Sequence, residues 1–131
     1  MNIGVVGLGR MGAAMCQRLR QNGCDVTAWD RNGATMPPLV AAGVAMAANA
    51  RAVAAQADIV ISIITADSGV RRIFNGPDGF LSGDVSGKLF IEMSTLQPMT
   101  ARELAPMVEA KGARLIESPV LGTIPQVRDG K

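Results

Sequence analysis

Short apolar runs separated by longer stretches of helical character are the feature that most narrows what this chain can fold into. NIGVVG, DVTAW, ADIVISII, KLFIEM and ARLIES alternate with RMGAAMCQRLRQNG, a segment opened by two prolines, DSGVRRIF and a helix following Pro98. Parallel neighbours in a sheet need a crossover of a dozen or more residues, so this rhythm predicts βαβ units. IVISII is apolar at nearly every position, as a strand covered by helices on both faces must be. The expected fold class is α/β, a doubly wound parallel sheet in a three-layer αβα arrangement.

A chain of 131 residues with 48% hydrophobic content has the size and composition of one globular domain. Its 13 basic and 11 acidic residues are scattered and sum to +2. That leaves no electrostatic footprint for nucleic acid or an anionic membrane, so small molecules are the expected partners. The chain has no histidine, which excludes Ser-His triads, histidine acid–base chemistry and histidine-containing zinc sites within it. Cys16 and Cys24 form neither a CxxC nor a metal-ligand spacing and read as reduced structural thiols, with no metal expected. A strand starting at Asn2 leaves no room for a targeting peptide ahead of it, so a cytoplasmic location is expected. The uncharged stretch from Asn32 to Ala50 is broken by Pro37, Pro38 and Gly43 and lacks the continuous hydrophobicity of a membrane span.

The first helix is expected to begin near Arg10, to turn Met11, Ala14, Met15 and Leu19 to the core, and to end at Gly23. A helix after Pro98 runs to Ala110, with Pro106 expected to kink or break it. Ser94 or Thr95 could cap it. Beyond the ARLIE strand, SPVLGTIPQVRDGK reads as a Gly- and Pro-rich loop followed by a charged turn, and the chain looks cut short there.

GLGRMG, residues 7 to 12, lies between the first strand and the first helix. In that position the three glycines have separate tasks. Gly7 permits the turn out of the strand, Gly9 lets backbone approach a pyrophosphate, and Gly12 lets helix and strand pack closely. The pyrophosphate would meet the free amides of the helix N-terminus, along the backbone of Gly7, Leu8, Gly9, Arg10, Met11 and Gly12. Asp30 follows Gly12 by 18 residues, near the ~20 at which a ribose-binding acid stands in Rossmann-type dinucleotide sites. Within Asp30-Arg31-Asn32, the carboxylate favours NAD. Arg31 could stack on adenine, pair with the 2′-phosphate of NADP, or stand as a solvated charge. The cofactor expected is NAD or NADP, with a lean to NAD.

Three stretches in order, GLGRMGAAMCQRLRQNGCDVTAWDRN, IEMSTLQPMTARELA and ESPVLGT, resemble the N-terminal domain of the β-hydroxyacid dehydrogenases. That group includes 3-hydroxyisobutyrate dehydrogenase and tartronate semialdehyde reductase and is related to 6-phosphogluconate dehydrogenase and the imine reductases. The resemblance spans nearly the whole chain. It implies an NAD(P)-dependent enzyme exchanging hydride with a small 3-hydroxy acid or its semialdehyde, homodimeric or homotetrameric when full-length. It also implies that Ile64 and Thr65 pass near the cofactor and that Thr95 contacts its nicotinamide half.

Two departures from the family pattern matter. The family's substrate loop usually reads PVSGG, whereas here it is Pro119-Val120-Leu121-Gly122-Thr123. Substrate binding at Leu121, Gly122 and Thr123 would then rest on backbone amides and the Thr123 hydroxyl, unless the loop only closes the domain. The loss of a hydroxyl at Leu121 leaves room for an imine reductase reading, and a non-catalytic nucleotide-binding module is a third. The family's proton-transferring lysine lies on a helix beyond this loop, followed by an all-helical C-terminal domain that completes the cleft and the dimer. Lys131 sits in a DGK turn, and Lys88 and Lys111 border strands on the wrong side of the sheet and read as solvated. No catalytic residue is therefore expected within residues 1–131. They read as one dinucleotide-binding domain cut before the helical one, with weak nucleotide binding and little turnover alone.

Overall fold

The computed structural model describes residues 1–120 and 122–131. Along the chain the elements are β1 (Asn2–Val6), α1 (Arg10–Gln21), β2 (Asp25–Trp29), α2 (Pro37–Ala41), β3 (Ala45–Met46), α3 (Ala50–Gln56), β4 (Ile59–Ser62), α4 (Asp67–Asn75), β5 (Leu89–Glu92), α5 (Pro98–Ala110), β6 (Arg114–Glu117) and α6 (Ile124–Asp129). The strands pair in the order β3-β2-β1-β4-β5-β6, and every pairing is parallel. This is the doubly wound Rossmann arrangement. β1 and β4 are central, in register from Ile3 opposite Ile59 to Val6 opposite Ser62. Winding reverses between them, the point at which doubly wound sheets form a crevice at the carboxyl ends of their strands.

Successive strand residues point to opposite faces, which divides the core into two layers. Val53 of α3, Phe74 of α4 and Leu104 and Val108 of α5 close over Val6, Val60 and Phe90 on one face. Cys16 of α1 and Leu39 of α2 close over Val5, Val26, Ala28 and Ile61 on the other. The three phenylalanines, Phe74, Phe80 and Phe90, are fully buried, with ring centroids 4.9 to 5.6 Å apart. Full burial of each contributes ~1.5–3 kcal/mol, and together they fix α4 and the turn after it against β5.

Several local expectations are corrected. β3 and α3 both fall in the segment read only as Pro-started; α3 is capped by Asn49, whose Oδ1 accepts from the Ala52 amide at 2.8 Å. α5 runs unbroken through Pro106. Pro106 and Arg102 are both exposed, so the Arg102 carbonyl that the missing N–H would have bonded turns to water. The segment read as a charged turn contains α6. Thr123 and Gln126 form a capping box at its start, and Gly130, at φ +74°, ends it in the left-handed conformation. The packed face of α1 carries Cys16, Met15 and Leu19, whereas Met11 stands half-buried at the first turn, outside both core layers. Gly23, at φ +81°, follows the end of α1 as expected.

Candidate functional site

At the carboxyl end of β1 the three glycines of GLGRMG differ sharply in surroundings. Gly7 sits at φ +100°, and a Cβ there would run into the Ile63 carbonyl oxygen. A Cβ at Gly12 would run into the carbonyl of Gly7. Gly9 has φ −65° and ψ −175°, a backbone any residue adopts, and no protein atom lies within 4 Å of where its Cβ would be. The fold therefore requires glycine at 7 and 12, while at 9 it leaves a gap. Beside that gap the first amides of α1 have no intrahelical acceptors. No side chain caps them and no acid stands in the first turn. An uncapped, positive helix end next to an open glycine fits a pyrophosphate.

The carboxylate of Asp30, just past β2, spans the turn. Its Oδ2 accepts from the Leu8 amide at 2.6 Å and its Oδ1 from the Asn32 amide at 3.0 Å. Asp30 is thus a brace for the glycine turn as well as a half-buried acceptor at the crevice rim. A carboxylate has about four lone-pair sites, so acceptor capacity is left for a ligand. The side chain of Asn32 is occupied locally, its Oδ1 accepting from the Ala34 amide at 3.1 Å. Arg10 and Arg31 are exposed. Among the described residues the ion pairs join Arg20 to Asp25 and Arg71 to Glu103, and neither Arg10 nor Arg31 takes part.

Across the crevice, the loops after β4 and β5 are tied together from beneath. Ser62 and Glu92 are in register at the strand ends, and the Ser62 hydroxyl donates to Glu92 Oε2. Glu92 Oε1 accepts from the Ser94 amide at 2.8 Å, and Ser94 Oγ accepts from the Ile64 amide at 2.7 Å. Glu92 is 1% exposed. Burial pushes its carboxyl above the usual range, against the hydrogen bonds from Ser62 and Ser94, and the charge of Glu117 adds to the rise. A second tie joins α4 to the start of α5. Asp67 Oδ2 accepts from the Thr100 hydroxyl at 2.5 Å and the Gln97 amide at 3.1 Å, and Arg71 donates to Thr100 Oγ1 and Glu103. The Thr100 bond, then the Gln97 amide, holds the Asp67 carboxyl below its ordinary value. The start of α5 is therefore secured from α4 by Asp67, with Gln97 as its N-cap and no side-chain cap of its own, so neither Ser94 nor Thr95 serves there.

Thr65 and Thr95 are exposed at the tips of these two loops, and Ile64 is half-buried between them and the glycine turn. The segment before α6 starts at the end of β6, where the Ser118 amide donates to the Glu92 carbonyl at 2.8 Å. It ends with α6 packed against α1. Gly122 and Thr123 are exposed, and Leu121 lies outside the described residues. Lys88 is not solvated: its Nζ donates to the carbonyl of Ala54 on α3. Lys111 and Lys131 are exposed. Glu92 and Asp67 were not singled out by the sequence. An acid at the end of a strand and one opening a helix read as surface groups until register and packing bring serines and a threonine to them.

The family described as the NAD binding domain of 6-phosphogluconate dehydrogenase matches residues 2–131. The chain belongs to this family. As an NAD(P)-binding domain of that family it is similar to the cytokine-like nuclear factor N-PAC of Danio rerio, 33% identical over 98% of this chain and 28% of the relative. It is also similar to glyoxylate/succinic semialdehyde reductase 2, chloroplastic, of Arabidopsis thaliana, 30% identical over 100% of this chain and 37% of that protein. The reductive aminase from Aspergillus terreus in complex with NADPH4, cyclohexanone and allyl amine superposes with a TM-score of 0.85, at 28% identity, over 95% of this chain and 43% of that one. This NAD-binding domain thus spans 28% to 43% of the length of these three proteins. No helix among the described residues is long and apolar enough to cross a membrane.

Proposed function

We propose that residues 1–131 are the nucleotide-binding part of an oxidoreductase that exchanges hydride between a nicotinamide cofactor and a small 3-hydroxy acid or its semialdehyde. The observation carrying this reading is the contrast among the glycines: Gly7 and Gly12 are enclosed by backbone, whereas Gly9 faces open space beside an uncapped helix end. The cofactor supplies the hydride chemistry when bound. The chain's own residues bind and orient it. Amides of Leu8, Gly9, Arg10, Met11 and Gly12 take the pyrophosphate. Asp30 accepts from the adenosine ribose on the lone pairs that Leu8 and Asn32 leave free. Arg31 stacks on adenine, with the Asn32 backbone beside it. Ile64, Thr65 and Thr95 line the nicotinamide half, and Leu121, Gly122 and Thr123 take the substrate carboxylate. The proton exchanged with the substrate hydroxyl comes from a lysine outside residues 1–131, on a helical domain that also builds a homodimer or homotetramer. The reductase of glyoxylate and succinic semialdehyde among the relatives supports a small carboxylic acid bearing an aldehyde as the substrate; the 3-hydroxy position rests on the family resemblance alone. The free thiols of Cys16 and Cys24 suit a reducing compartment such as the cytoplasm.

The Asp30 charge opposes a 2′-phosphate, which favours NAD. Titration calorimetry is expected to give tighter binding of NADH than of NADPH, with Asp30→Asn bringing the two affinities closer. NADPH binding about tenfold tighter than NADH would overturn the preference and make Arg31 the partner of the phosphate.

A second reading, reduction of a C=N bond, is favoured by the likeness to the reductive aminase and by an apolar residue at 121 where the family's serine would stand. Turnover of a cyclic imine but of no hydroxy acid by the full-length protein would select it. Nucleotide binding with turnover of neither would select a non-catalytic module.

A further inference from the structure

Glu92 is the one acid in the described core, and no cation neutralises it: Ser62 and Ser94 supply its hydrogen bonds, and Glu117 stands opposite it in the β5–β6 register. Burying a carboxyl group carries a large desolvation cost that a fold tolerates where the group organises its surroundings. Here the surroundings are the ends of two strands and the loops that leave them. Three links run in series: the Ser62 hydroxyl to Glu92, Glu92 to the Ser94 amide, and the Ser94 hydroxyl to the Ile64 amide. They cross from β4 to β5 and back to the loop after β4. Backbone bonds alone stop one residue past the strand ends, with the Met93 amide on the Ser62 carbonyl at 2.8 Å and the Ile63 amide on the Val6 carbonyl at 3.0 Å. Beyond them, Ser94 Oγ is the group that fixes Ile64, and the bond from its own amide to Glu92 holds Ser94.

We infer that Glu92 is a positioning residue for the nicotinamide half of the cofactor, holding the loops that carry Ile64, Thr65 and Thr95 at a fixed separation through Ser62 and Ser94. The inference rests on the nucleotide-binding reading above. It assigns no contact between Glu92 and the ligand; the residue acts from beneath the site. The adenosine half is served by different residues, Leu8 and Asp30, joined by their own hydrogen bond. Loss of the Glu92 link therefore affects one half of the dinucleotide and not the other.

The test compares NADH with ADP-ribose, which lacks the nicotinamide, by titration calorimetry at neutral pH. Glu92→Ala leaves the Ser62 hydroxyl and the Ser94 amide without their acceptor. It is expected to weaken NADH about tenfold, the cost of one buried partner, while ADP-ribose affinity stays within about twofold. Glu92→Gln can accept from the Ser94 amide and donate to Ser62 Oγ, and it is expected to restore NADH binding. Ser94→Ala removes the acceptor of the Ile64 amide and is expected to repeat the selective loss, which keeps the test decisive if Glu92→Ala does not fold. Unchanged NADH affinity in these variants, or equal losses for both ligands, would overturn the positioning role while leaving nucleotide binding intact. Failure of the unsubstituted protein to bind either ligand would overturn the nucleotide reading itself.

Discussion

Gly9 and Gly12 are three residues apart and identical in chemistry, yet they answer to different demands. The Cβ of Gly9→Ala meets no protein atom and asks nothing unusual of the backbone. The variant is expected to melt within ~2 °C of the unsubstituted protein and to bind dinucleotide at least about tenfold more weakly, because the methyl occupies the pyrophosphate's approach. Gly12→Ala drives a methyl into the Gly7 carbonyl and is expected to cost ~3 kcal/mol or more of stability. Thermal melts and titration calorimetry on the pair check both halves, and a Gly9→Ala protein that binds normally would remove the main support for the cradle. The glycines and Asp30 were legible in the sequence because spacing along a strand–turn–helix unit fixes where they lie. The brace from Asp30 to Leu8 was not, since it joins residues 22 positions apart and depends on β1 and β2 being neighbours. Glu92 was illegible for the same reason: its partner Ser62 lies 30 residues away.

Among elements, β1 and β4 could be read with ease because both of their faces are buried, and their sequences are apolar without alternation. β3 is two residues long, too short to carry a period. α3 is mostly alanine, which gives little contrast between faces. α6 did carry a signal, the Thr-x-x-Gln of a capping box, masked by the prolines and glycines around it. α5 holds a different lesson, because Pro106 sits in its interior and is tolerated at a cost. Pro106→Ala restores an amide that can donate to the Arg102 carbonyl and is expected to raise stability by about 1–3 kcal/mol, less whatever chain entropy the proline had removed from the unfolded state. Denaturant melts measure this directly. A loss of stability would mean that the helix depends on the bend the proline imposes.

For the whole domain, the raised carboxyl of Glu92 links stability to pH. The folded state holds that proton more tightly than the unfolded chain, whose ordinary value is 4.5. The stabilisation is complete below that value and is lost as pH rises through the higher folded value. Glu92→Gln cannot titrate there. The stability of the unsubstituted protein relative to Glu92→Gln is therefore expected to fall as pH is raised from about 4.5 to 8, measured by parallel thermal melts. A constant difference would contradict it. Asp67 acts in the opposite sense, since its lowered value makes the α4–α5 tie weaken as acid is added, equally in both proteins. The bond between Asp30 and the Leu8 amide bears on how such a domain changes cofactor over evolutionary time. On the proposed reading, the carboxylate that would oppose a 2′-phosphate also braces the glycine turn, so deleting it to admit NADP would loosen the pyrophosphate's proposed seat. The accessible route keeps an acceptor at position 30, an asparagine or a serine, and draws the new selectivity from Arg31. On that reading, coenzyme preference in this domain is a property the turn and the second strand can alter only together.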